Sequence, residues 1–146
     1  MKWYETPLTV LLDNAIFFLN EGREAQFHKT MFRMHALVKE REKQMRTDLD
    51  ITSVLSRYQG IDTLLHMEQS KLRVMTDEDL SISRMGLICD CAALLDSVKP
   101  TGKQDLARAR QALDKILREI TRRMNVYGIN YDYWGERDLY AFVGRG

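Results

Sequence analysis

Four side chains have the types and spacing of a metal site. His28 and His35 stand seven residues apart and Asp62 and His66 four apart, so each pair shares one face if its segment is helical. Imidazole and carboxylate groups from neighbouring helices are what a bundle offers a divalent cation. The di-iron pattern, however, puts Glu three residues before His, and no such pair occurs here. Histidine sits at intermediate depth in most folds. No metal ligand is therefore assigned, and a metal-binding helical protein ranks third among the functions considered. Cys89 and Cys91 miss zinc-ligand spacing. Two residues apart on a helix, they point to different faces and do not bridge readily.

Nucleophilic and hydrolytic chemistry has no foothold. The chain has no Gly-x-Ser-x-Gly turn and no glycine-rich phosphate loop. The cysteines lie in an apolar helical pattern, where thiols are usually inert. The carboxylates sit at helix starts and on solvated faces, and no pair stands out as acid and base. No catalytic residue and no cofactor is expected, and the chain reads as non-enzymatic.

The most specific signal is basic. Arg108, Lys115 and Arg122 recur at seven-residue intervals, with Arg118 and Arg123 beside them, and Tyr127, Tyr131 and Trp134 follow. Cations neutralise phosphates and rings stack on unpaired bases, so these five residues define a nucleic-acid-binding alternative. A solvated helix face gives the same line of charge, and no complete helix-turn-helix pattern accompanies it. Arg84 and Arg110 fall on apolar stripes where leucine is expected. The simple expectation is that their long stems carry each guanidinium to water. The functional alternative is an anion site or a polar partner surface.

The elements that must position these residues are helices. Thr6-Pro7 opens the first, over about 7–20, with Leu8, Leu11, Leu12, Ala15, Ile16 and Leu19 at helical spacing. The second spans about 23–46 on a seam of Phe27, Met31, Met34, Val38 and Met45, interrupted by Arg41. A third, over about 50–75, carries Ile51, Val54, Leu55, Tyr58, Ile61, Leu65 and Leu72, with a bend or a close helix contact expected at Gly60. Thr76 followed by Asp77, Glu78 and Asp79 is a strong helix start for the fourth, about 77–98, whose wide apolar face predicts a central position. The fifth, about 102–126, has a near-heptad seam of Leu106, Leu113, Leu117, Ile120 and Met124. Residues 127–146 hold six of the chain's thirteen aromatics among four glycines. The fold expected is an all-α antiparallel bundle of four to five helices in one domain, 1–146, with a short aromatic C-terminal arm or hairpin. That arm should pack on the body or on a second subunit, because exposed rings invite aggregation.

Leu8 to Ile16, Leu-Thr-Val-Leu-Leu-Asp-Asn-Ala-Ile, resembles the opening helix of flagellar export chaperones. The likeness is confined to that segment and to its apolar period. The family is built on a four-helix bundle, whereas five helices are expected here. No membership is inferred and no residue role comes with it.

Composition narrows the function classes further. Charged residues are 29% and apolar residues 45%, an ordinary globular balance. Residues 29–46 carry six basic against two acidic groups, 47–98 four against nine, and 99–123 eight against three. With a net charge of +1, mutual neutralisation inside the fold is favoured over a basic surface for an acidic partner. No stretch suits a membrane span or a secretory leader, so a cytoplasmic location is expected, consistent with two reduced cysteines. Eight methionines and wide apolar faces suit adaptable surfaces. The expected function is a protein-interaction module acting as adaptor, chaperone or regulator, as a homodimer. Tyr131, Tyr133, Trp134, Tyr140 and Phe142 are its candidate partner-binding residues.

Overall fold

A computed structural model describes residues 7–48, 57–97 and 102–127. Among them the chain is helical, without strands, in six helices: α1 (Pro7–Asn20), α2 (Glu24–Asp48), α3 (Ile61–Leu65), α4 (Gln69–Val74), α5 (Asp77–Ser97) and α6 (Gly102–Tyr127). No helix among the described residues is long and apolar enough to cross a membrane.

Proline at the first position of α1 suits the helix start, where its missing N–H is no loss. The stop expected at Asn20–Gly22 is present. Gly22 takes φ +69°, its N–H bonds the Leu19 carbonyl, and the Arg23 N–H reaches back to the Phe18 carbonyl at 3.0 Å. Those two bonds form a Schellman motif, and only glycine holds the left-handed position cheaply. The turn folds α2 back on α1. Leu8, Leu12 and Ala15 meet the core from one side, with Phe27, Met31, Met34 and Val38 from the other.

The third helix departs from its expected course. A continuous 50–75 helix does not form: within the described part the chain makes two short helices with breaks at 58–60 and 66–68. Gly60 sits at φ +94°, outside the right-handed helical region, and starts α3 afresh. Glu68 is extended, at φ −68° and ψ 149°. Of the residues in the apolar period, Leu72 is buried and Tyr58, Ile61 and Leu65 pack partly against the core, while the fully buried leucine of α3 is Leu64, which the period did not include.

α5 begins as expected. The Asp79 N–H donates to Thr76 Oγ1 at 3.1 Å, and three acidic residues occupy the first turn at the positive end of the helix dipole. Every residue from Leu80 to Met85 is buried. A helix with no solvent face over that stretch must be enclosed by others, and α5 packs against α1, α2, α3 and α6. α6 follows its seam closely. Leu106, Leu113, Leu117, Ile120 and Met124 are buried, and Ala109 and Ala112 allow a close approach to α5. The two run in opposite directions, since Asp77 at the start of α5 bonds Arg123 near the end of α6.

Candidate functional site

The basic line on α6 is where sequence and structure meet most directly. Arg108 pairs with Asp62 of α3, and its Nη1 lies 4.0 Å from Asp105. Lys115 Nζ donates to the main-chain carbonyls of Leu65 at 2.8 Å and Met67 at 2.6 Å. Arg122 binds both oxygens of Glu119, a buried carboxylate, through Nε and Nη2 at 2.8–3.2 Å. Arg123, itself buried, donates to Glu119 at 2.8 Å, to Asp77 at 2.7 Å, and to the carbonyls of Leu72 and Arg73 at 3.0 and 3.2 Å. Arg118 is the outlier: its side chain is 79% exposed and its partner is Asp114, one turn back, at 2.8 Å.

These contacts run in register. Residues 62, 65–67 and 72–73 meet 108, 115 and 123 in order, so α3 and α4 lie along α6 and are fastened to it by cations. The breaks in the third helix leave the Leu65 and Met67 carbonyls for Lys115 to take, because carbonyls at a helix end lack partners within it. Burial works to raise the Glu119 carboxyl, but the bonds and charges of Arg122 and Arg123 outweigh it and hold the group below its ordinary range.

The two arginines on apolar stripes part company. Arg84 does not reach water: it is 1% exposed within α5. Arg110 grips Asp13 of α1 through Nε at 2.8 Å and Nη2 at 3.0 Å, a two-point contact that raises its pKa against the opposing pull of burial. Next to this pair, burial pushes the Cys91 thiol up to about 12, so it is inert; neither Cys91 nor the half-buried Cys89 is in a disulfide.

A groove of about 510 Å³ lies along the outer side of α6, lined by Leu65, Arg110, Gln111, Asp114, Lys115 and Arg118. A second hollow, of about 320 Å³, is acidic, with Asp62, Asp90 and Asp105 around Arg108.

The four metal-site candidates are not brought together. His28 is exposed on α2, and His35 donates to Asp96 of α5 at 3.0 Å. Asp62 faces Arg108, and His66 Nδ1 donates to its own turn's carbonyl at Asp62. Among the described residues no three His, Cys, Asp or Glu side chains are grouped to hold a metal ion. Tyr131, Tyr133, Trp134, Tyr140 and Phe142 lie outside the described residues.

Two features escaped the sequence. Arg57 clamps the first turn of α5, bonding Glu78 and, at 2.9 Å from its Nε, Asp79. Beside it, the Tyr58 ring lies on Gly86, and its hydroxyl donates to Asp90. Burial and that bond raise the Tyr58 pKa well above the phenol range. A glycine within an otherwise apolar buried helix was the signal available for this close approach. Large apolar side chains stay exposed at Phe17, Phe32, Val74 and Val126. No family model, no curated protein and no solved structure matches this chain.

Proposed function

We propose that this chain is a non-enzymatic protein-interaction module, an adaptor, chaperone or regulator that binds another protein and works as a homodimer. Its helices close into an antiparallel bundle, and the aromatic arm beyond Tyr127 forms part of the binding surface with Tyr131, Tyr133, Trp134, Tyr140 and Phe142.

The observation that carries this reading is a pair of exposed valines at two helix ends held side by side. Val74 is 80% exposed at the end of α4, and Val126 is 62% exposed at the end of α6. The bonds from Arg123 to the Leu72 and Arg73 carbonyls hold those two ends together. Exposed aliphatics beside an aromatic segment favour a protein contact, in which rings and apolar groups supply most of the binding energy. Nucleic-acid binding through Arg108, Lys115, Arg118, Arg122 and Arg123 has less support, because Arg108, Arg122 and Arg123 are paired with carboxylates, which interrupts any continuous track for a nucleic-acid backbone. A metal role has less still, given the separation of its candidate ligands.

Native mass spectrometry of the untagged chain captured from its own host tests the proposal. A dimer carrying a discrete, trypsin-sensitive added mass is expected, and that mass should be lost from the double variant V74D/V126D, whose helix content stays unchanged. A monomer with no retained partner and a measurable turnover would overturn it, and an added mass removed by nuclease would put nucleic-acid binding in its place.

A further inference from the structure

We propose that the groove along α6 is a binding site for a small anion carrying two or more phosphate groups, independently of any protein partner. Three cations line it, at Arg110, Lys115 and Arg118, and they are differently prepared. Arg110 is fixed by its two-point contact with Asp13, which points the guanidinium without freedom to turn. Lys115 is fixed by the Leu65 and Met67 carbonyls. Those partners orient the ammonium but carry no formal charge, so its positive charge is not cancelled by a carboxylate there. Arg118 is the adaptable member. Its bond to Asp114 is an exposed contact within one helix, of the weak kind that water and salt screen, so an incoming anion takes the guanidinium at little cost.

With Asp13 and Asp114 counted against Arg110 and Arg118, the groove keeps a positive balance through Lys115. Gln111 adds an amide donor, and Leu65 gives an apolar wall. The cations span positions 110 to 118, about 12 Å along the helix at 1.5 Å per residue. One carboxylate or one phosphate touches only part of that line, whereas a chain of phosphates follows it. Phosphate oxygens also accept two hydrogen bonds side by side from an arginine. The hollow, of about 510 Å³, is confined to residues 110–118 of α6 and Leu65, a length that suits a short anion rather than a long strand.

Calorimetric titration of the full chain with sodium pyrophosphate tests this directly. One saturable site is expected, weakening as salt rises. R118E should weaken it about tenfold or more while leaving melting unchanged, because the residue is exposed. K71E, at an exposed base outside this groove, should bind within about twofold of the parent protein. Amide shifts on titration should cluster at residues 110–118. Absence of saturation, equal affinity in R118E, or binding that appears only with oligonucleotides and not with pyrophosphate would each overturn the proposal. None of these outcomes bears on protein capture at Val74 and Val126, which do not line the groove.

Discussion

Tyr58 and Gly86 form a contact that depends on the absence of one atom. A Cβ built on Gly86 falls 2.5 Å from Tyr58 Cδ1, with two further ring atoms within 2.7 Å. The ring is not free to swing away, because its hydroxyl is tied to Asp90. Gly86→Ala sets two effects against each other: alanine favours the helix by about 1 kcal/mol, and the clash costs about 1–3 kcal/mol. The clash should win, and urea denaturation should show net destabilisation. In a Tyr58→Ala background the same change should instead stabilise. Destabilisation of equal size in both backgrounds would show that the ring is not what reserves the position.

Among the elements, α3 and α4 are the ones held by something other than their own length. At five and six residues they are too short to be stable helices alone. Leu64 and Leu72 anchor them in the core, and the α6 cations take up the carbonyls their breaks expose. Lys115→Met should therefore loosen this segment before anything else. A hydrogen bond to a charged group contributes about 1.5–3 kcal/mol, so amides over 61–74 should exchange about tenfold faster or more, with α5 unaffected. Arg118→Ala should leave the same amides unchanged. The elements with a strong local signal were legible in the sequence: the Schellman stop at Gly22, the Thr76 cap, and the α6 seam with its boundaries. The third helix was misjudged because its apolar period is real while its continuity is not. Only Gly60 marked a break, and the carbonyls left open by the one at 66–68 are taken by Lys115, nearly fifty residues away in the chain. The basic line was found as a pattern, but spacing on one helix cannot show that Asp62, Asp77 and main-chain oxygens stand opposite it.

Across the whole molecule, uneven charge becomes internal pairing. The acidic middle and the basic last helix meet at Asp62–Arg108 and Asp77–Arg123, as the near-zero net charge led one to expect. The deepest node is Glu119, whose folded pKa is held down. A lowered carboxylate stabilises above its unfolded value, about 4.3, and that stabilisation is lost as pH falls through the lower folded value. Acid unfolding should therefore steepen below about pH 4. Glu119→Gln should cost about 1–3 kcal/mol at neutral pH, because the amide oxygen still accepts but the charge facing Arg122 and Arg123 is gone, while Arg123 keeps Asp77 and its two carbonyls. It should also flatten the acid limb, and chemical denaturation across pH reads both.

Fastening by main-chain oxygens has an evolutionary corollary. Lys115 and Arg123 hold carbonyls of Leu65, Met67, Leu72 and Arg73, and every amino acid supplies a carbonyl. Mutational tolerance is thus lopsided: exposed positions such as 66, 68–71 and 73 can drift in identity while the path of the backbone is preserved, whereas the two cations that grip it cannot. Descendants of this chain would keep the same shape under a changing surface, their kinship written in α6 and erased from the segment lying on it.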